Sequence, residues 1–379
     1  MPTPAASSQL AVHPLASAVF LLFLALWCPG ASGAEGATRN VILITTDGFR
    51  WQEIFTGAEE ALMTTNAALK KMDELKELKR QFWRPTPQQR REALLPFIWE
   101  TIARQGQLWG NTNLDSTVKV TNPFKFSYPG YNELLTGVAD PRIDSNDKRP
   151  NPNTNVLEWL HGRPAYRGRC AAFASWDVIP FILNRDRNGL FVRAGIEPLA
   201  IGKLTPRQSL LNDLVNDVTP LWDGLLHDGL LFQGAFDYLR EHKPRVFYMA
   251  FDETDDWAHD GRYDRYLQAA HRVDNRVRKV WEFVQSESAY RNKTTLLLTT
   301  DHGRGSGPKR WRDHGKDVAG AEYIWLAVLG PDTPSLGERS HTLPIQQNQV
   351  AATVAAFLGE DFAQGNSAAG KPIAELMRR

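Results

Sequence analysis

Three short apolar runs, the outer two about 250 residues apart, each stop at acidic side chains. Val41-Ile42-Leu43-Ile44 leads into Thr45-Thr46-Asp47-Gly48, and Leu296-Leu297-Leu298 leads into Thr299-Thr300-Asp301-His302-Gly303. Between them, Val246-Phe247-Tyr248-Met249-Ala250 leads to Asp252, Asp255, Asp256 and His259. Read as strands, these runs bring three acidic ends to one edge of a sheet, and in open α/β sheets ligands bind at the carboxyl ends of the strands. Asp and His are the hard and borderline ligands that suit divalent metals. The pattern is that of a metalloenzyme.

Helical segments alternate with the strands. Ala61–Lys79 is rich in Ala, Leu, Lys and Glu, and a second stretch runs from Gln88 to Gln105 after the break at Arg84-Pro85-Thr86-Pro87. Together they read as a helical insertion over about residues 58–106. Gln208–Leu239 has helical periodicity interrupted at Thr219-Pro220, Tyr263–Val284 is amphipathic, and Val350–Leu358 reads as a final helix. Cys170–Ala174 and Tyr323–Leu329 read as further strands, and 140–152 as a polar surface loop. The expected fold class is α/β: a mostly parallel central sheet with helices on both faces, in one domain spanning 34–379.

Charge is nearly balanced, 44 basic against 43 acidic residues, which excludes the basic excess of a nucleic-acid-binding footprint. The first 34 residues hold no Lys, Arg, Asp or Glu, and Leu15–Trp27 is an unbroken run of apolar or small residues. That run falls short of the ~20 residues a membrane span needs. With the small residues Ala31-Ser32-Gly33-Ala34 behind it, the segment 1–33 reads as a secretory signal, so the mature protein is expected outside the cytoplasm with no stable membrane span. Removal of the signal would leave Cys170 as the only cysteine, and no intrachain disulfide could form.

The candidate site residues each have an ordinary structural use as well. Asp301 can cap a turn; with His302 it can also reach a cation where the chain leaves extended geometry at Gly303. Asp255 and His259, four apart, share one face of a helix, and the negative charge crowded at Asp252, Glu253, Asp255, Asp256 and Asp260 calls for a cation. Asp47-Gly48 is a common turn pair whose weight comes from its match with Asp301. Ser127, in Phe126-Ser127-Tyr128-Pro129-Gly130-Tyr131, is either a helix N-cap or a hydroxyl that a cation could ionise, with helix N-terminal amides holding an anion. His314 is the next candidate ligand and His341 the alternative. Lys309, Arg310 and Arg312 could meet a phosphate oxygen or form a solvated basic loop.

The order Asp47, Ser127, Asp255-x-x-x-His259, Asp301-His302-Gly303 resembles the alkaline phosphatase superfamily, above all its type I phosphodiesterases, nucleotide pyrophosphatases and phosphatase-like proteins. The resemblance implies two divalent metal ions. One would be held by Asp47, Ser127, Asp301 and His302, the other by Asp255, His259 and His314, with Gly315 following. Mixed Asp/His ligation favours zinc, with manganese as the alternative. Ser127 would then be the nucleophile of phosphoryl transfer on a small-molecule phosphate ester, passing through a phosphoserine.

Two other branches are similar in part. Ser127-Tyr128-Pro129 and Leu134-Leu135-Thr136-Gly137 match the sulfatase pattern, but Tyr131 stands where sulfatases have Arg, and their serine is converted to an aldehyde. Phosphoglycerate mutases share the metal sites but carry a second domain. A non-catalytic binding relative is the reading from outside enzymology. Asn132, Trp176, Asp177 and the 151–155 asparagine cluster are candidate pocket residues.

Overall fold

In β1 (Asn40–Thr46), side chains alternate between two separate cores: Ile42 and Ile44 enter one, Val41 and Leu43 the other. A strand buried on both faces belongs in the middle of a sheet covered on both sides, and that is where β1 lies. The computed structural model describes residues 1–3, 36–64 and 72–378. The expected signal, apart from its first three residues, lies outside the described residues.

The remaining strands are β2 (Gln107–Trp109), β3 (Val118–Lys119), β4 (Cys170–Ala174), β5 (Phe191–Ala194), β6 (Val246–Phe251), β7 (Thr294–Thr299), β8 (Tyr323–Ile324), β9 (Leu326–Leu329), β10 (Gly337–Glu338) and β11 (Ile345–Gln346). Among the described residues the main sheet runs β10-β2-β9-β7-β1-β6-β4-β5, and a small second sheet runs β11-β3-β8. β1 pairs in parallel with β6 and β7, and β4 continues the parallel run on the far side of β6. In the main sheet β9 is antiparallel to both of its neighbours, and in the small sheet β8 is antiparallel to β3. The fold is therefore the expected mostly parallel α/β sheet.

Register decides where the site falls. Thr46 lies opposite Phe251 and Thr45 opposite Thr299, so the chain leaves all three strands at one level. Asp47, Asp252 and Asp301 emerge side by side from that edge.

Several boundaries differ from expectation. Of the helix expected over 61–79, the described part is Met72–Phe82; Glu60–Leu62 form a single 3-10 turn, and 65–71 lie outside the described residues. The stretch expected over 88–105 is a Pro87–Leu94 helix, then a π-helical turn Ile98–Ile102 after Pro96. Pro96 lacks the N–H that a continuous ladder needs. The Asp274 carboxylate accepts the Phe97 and Ile98 N–H groups (both 2.9 Å) left free at that break. Tyr323–Leu329 is not one strand: it divides at Trp325, whose buried indole N–H donates to the Phe49 carbonyl at 2.9 Å, and its halves enter different sheets. The break at 219–220 separates helices Pro206–Asp217 and Asp228–His242. None of the described helices is long and apolar enough to cross a membrane.

The helix Ser127–Thr136 is buried along its whole length. Two features seat it. A Cβ on Gly130 would lie 2.4 Å from the Asp301 carbonyl oxygen, so only glycine lets the helix approach the end of β7. The buried Glu133 carboxylate accepts the backbone N–H groups of Thr121 (2.8 and 3.0 Å) and Asn122 (2.8 Å), and their side chains as well. This ties the helix to the segment that leads into Ser127. Glu133→Ala would strand those donors in a dry interior. It is expected to lower stability by about 3 kcal/mol, read as a fall in urea midpoint with unchanged slope; a midpoint equal to wild type would contradict the tether.

Candidate metal centre

The three carboxyl-end loops gather the sequence candidates around one imidazole. His302 Nε2 lies 3.3 Å from Asp47 Oδ1, 3.5 Å from Asp301 Oδ2 and 3.7 Å from Asp255 Oδ1. Ser127 Oγ stands 3.4 Å from the same nitrogen. His302 Nδ1 faces the carbonyl of Gly303 at 3.0 Å, which turns Nε2 toward the carboxylates. Gly303 is needed here for a different reason from the one expected. Its backbone is not left-handed; a Cβ would instead collide with the Tyr323 carbonyl oxygen at 2.2 Å.

On the other side of His302, Asp255 and His259 occupy one face of the short helix Glu253–His259, with His259 Nε2 3.0 Å from Asp255 Oδ2. His314 closes the group: its Nε2 is 2.9 Å from His259 Nε2 and 3.8 Å from Asp255 Oδ1, and its ring stacks on His302 at 4.1 Å. Among the described residues, two sets of donor atoms are close enough to hold a cation, Asp47 with Asp301 and His302, and Asp255 with His302 and His314.

The electrostatics of this cluster are those of a site built for positive charge. Both carboxylate oxygens of Asp47, and Oδ2 of Asp301, are buried with no hydrogen-bond partner. Burial, followed by the charge of Asp47, pushes the Asp301 carboxyl up to about 8. Burial opposes the charged form of His302, but Asp301 and Asp47 push its pKa up to about 9. Burial and the neighbouring His302 hold His259 and His314 below the usual imidazole range, in the neutral form that binds metals. Buried carboxylate oxygens without a hydrogen-bond donor, on Asp47 and Asp301, and neutral imidazoles beside Asp255 fit divalent cations.

Sequence reasoning missed Arg304, although it follows directly on Asp301-His302-Gly303. Its guanidinium is fully buried, and burial lowers its pKa to about 9. Nε donates to the Gly48 carbonyl (3.0 Å), one Nη to the Asp255 carbonyl (3.0 Å) and carboxylate, and the other to the Arg312 carbonyl. One side chain thus pins the exits of β1, β6 and β7 to the loop carrying His314. Behind it, the buried pair Arg50 and Glu53 is held by the hydroxyls of Tyr263 (2.9 Å) and Tyr266 (3.3 Å).

Other expectations are corrected. Asn132 makes its side-chain hydrogen bonds inside the fold. It is buried, with Nδ2 donating to the Val138 carbonyl (2.8 Å) and Oδ1 accepting from Asn151 (3.0 Å) and Asn153 (3.1 Å). The 151–155 cluster is likewise structural, since Asn155 caps the helix Val156–Gly162. Asp177 pairs with Lys148 at 2.6 Å, and His341 is exposed beside Asp115. Three of the first four positions of the Ser127 helix offer no amide to an anion: Tyr128 N donates to Asn146 Oδ1, Gly130 N to the Phe126 carbonyl, and Pro129 has no N–H.

Replacing Arg304 by Met would release Asp255 and the His314 loop without removing any donor of the cluster. A weakening of divalent-cation affinity of roughly 10- to 100-fold is expected, measured by competition with a chromogenic chelator, with Lys restoring part of it. Unchanged affinity in the folded Met variant would show that Arg304 does not position the cluster.

Residues 228–359 match the family model described as the Metalloenzyme superfamily, a stretch that includes Asp255, His259, Asp301, His302 and His314. No curated protein matches the sequence. Among solved structures, the phosphonate monoester hydrolase SpPMH from Silicibacter pomeroyi is similar over 90% of this chain and 76% of its own, at 13% identity and a TM-score of 0.55. A putative sulfatase from Bacteroides thetaiotaomicron is similar over 89% and 72%, at 13% identity and a TM-score of 0.52. The lipoteichoic acid synthase LtaP from Listeria monocytogenes is similar over 87% and 74%, at 13% identity and a TM-score of 0.51. At such identities the likeness shows the fold.

Proposed function

From the premise that the chain carries the alkaline-phosphatase-like fold of the metalloenzyme superfamily, we propose that it is a metal-dependent hydrolase of phosphate esters with Ser127 as nucleophile. The observation that carries this reading is the position of Ser127 Oγ, at the first residue of a buried helix and 3.4 Å from the His302 nitrogen that also faces Asp47 and Asp301.

Asp47, Asp301 and His302, with the Ser127 hydroxyl, would hold one divalent cation, and Asp255, His259 and His314 a second; zinc suits this donor set best, manganese next. Bound there, the cations would supply Lewis-acid activation of a hydroxyl and neutralise charge on the transferring group. The chain's own part is placement. The Gly130 contact and the Glu133 tether fix Ser127 Oγ on the edge of the sheet, where it can attack phosphorus in line. As Oγ bonds to phosphorus and gives up its proton, the ester P–O bond breaks and the alcohol departs; the group then resides on Oγ as a phosphoserine until water removes it. The enclosed carboxylates repel an anionic ester unless they are neutralised, so catalysis is expected to require metal.

Export belongs to the same proposal, through the charge-free apolar segment at the start of the chain. A sulfate-ester reading is supported by the sulfatase-like fold neighbour and by Ser127-Tyr128-Pro129. Against it, Tyr131 occupies the Arg position of that pattern, and its buried phenol lies against Asp47 without the positive charge that the Arg supplies.

Acid quenching during turnover of a 32P-labelled aryl phosphate is expected to trap label on Ser127. Ser127→Ala should lose activity by at least about 10³-fold while keeping its metal content. Wild-type turnover in that variant, or label on another residue, would remove Ser127 from the mechanism.

A further inference from the structure

The segment that follows Arg304 is strongly basic, with Lys309, Arg310, Arg312 and Lys316 against Asp313. It is not a loose solvated loop. Gly305 N donates to the Asp313 carbonyl (2.9 Å), Trp311 N to Gly307 (3.1 Å) and Asp313 N to Arg310 (2.9 Å). Trp311 is buried, edge-on to Tyr263 at 5.0 Å and Tyr266 at 5.5 Å, and the Arg304 guanidinium grips the Arg312 carbonyl. The backbone is therefore held from both sides, and its cations are presented from fixed points.

Those cations are not equivalent. Arg310 is paired with Asp313 at 3.2 Å. Lys309 and Arg312 make no ion pair among the described residues, and both line a cavity of about 470 Å³ with Leu62, Gly261, Tyr263 and Trp311. The neighbouring acids are occupied elsewhere: Asp260 accepts from the Trp222 indole at 3.3 Å, and Asp264 is paired with Arg262 at 2.7 Å. Two of the cavity's lining residues lie close along the chain to the candidate metal centre. Gly261 lies two residues after His259, and Arg312 two residues before His314, and two residues of chain reach at most ~7 Å. The Arg312 guanidinium hangs over Gly261, where a Cβ would lie 3.4 Å from it.

We propose that this cavity is a subsite for a second phosphate group, carried on the leaving group, so that the preferred substrates are bis- or polyphosphorylated rather than simple monoesters. The inference rests on the phosphate-ester reading. Two unpaired cations on a rigid frame give charge-assisted contacts to phosphate oxygens at little ordering cost. Placed one short step beyond His259 and His314, they select for charge on the part of the substrate that departs, without touching the reacting phosphorus.

The test compares phenyl phosphate with hydroquinone bisphosphate, which differs only by the second phosphate. Wild type is expected to favour the bisphosphate through a lower KM. Lys309→Ala with Arg312→Ala should abolish that preference by about tenfold or more, leaving kcat and KM for phenyl phosphate unchanged, and Lys309→Arg with Arg312→Lys should retain it. Equal preference in wild type and the double Ala variant would overturn the subsite. A calorimetric titration of hydroquinone bisphosphate in the Ser127→Ala background separates the two readings. Loss of binding on removing Lys309 and Arg312 upholds the subsite even if wild type turns over neither ester, whereas equal binding overturns it whatever the activity.

Discussion

Like charges crowded out of water are the constraint on which this structure turns. Asp47, Asp252, Asp255 and Asp301 are all at most 9% exposed, and they meet because three parallel strands end in register. At an effective dielectric near 20, two such charges 4 Å apart repel by roughly 4 kcal/mol. Either a proton, as the raised pKa of Asp301 reflects, or a cation has to sit among them. His302 supplies part of that charge from the centre of the cluster, and Arg304 supplies part from behind, yet three buried carboxylate oxygens of Asp47 and Asp301 accept no hydrogen bond. A divalent cation is a charge that the donor set can accept, and the Ser127 hydroxyl stands at the edge of that cluster.

The rest of the fold serves this arrangement. The two cores clamp β1, β6 and β7 from opposite faces, so the strand ends have little freedom to separate under their own repulsion. Glycines at 130 and 303 remove the Cβ atoms that would hold the Ser127 helix and the β8 segment away from Asp301 and His302. Arg304 and the Arg50–Glu53 pair extend polar order outward to the Tyr263–Ser286 helix and the basic loop. The same frame that positions the reactive centre therefore also fixes the cations of the cavity beside it.

Much of this was legible in the sequence because it is written in local patterns. Apolar runs stopping at Asp marked the strand ends, the four-residue step from Asp255 to His259 marked a helical face, and Ser127 before Pro129 and Gly130 marked a constrained helix start. The misses share a cause: they depend on contacts between distant segments. Nothing near Asn132 reveals that Asn151 and Asn153 saturate its side chain. The reason for Gly303 lies in Tyr323, and the turn at Trp325 that splits one apolar run between two sheets depends on the Phe49 carbonyl. Arg304 was adjacent to a recognised motif, but a lone Arg after Asp-His-Gly carries no mark of burial. The pairing of Arg310, and the freedom of Lys309 and Arg312, likewise appear only once the loop is folded.

Metal stoichiometry measured together with turnover of p-nitrophenyl phosphate, its bis ester and p-nitrophenyl sulfate tests the central claim most directly. Two divalent ions per chain, with phosphate-ester hydrolysis that a chelator abolishes and zinc or manganese restores, is the predicted result. A folded protein that binds no divalent metal and hydrolyses none of the three would contradict it.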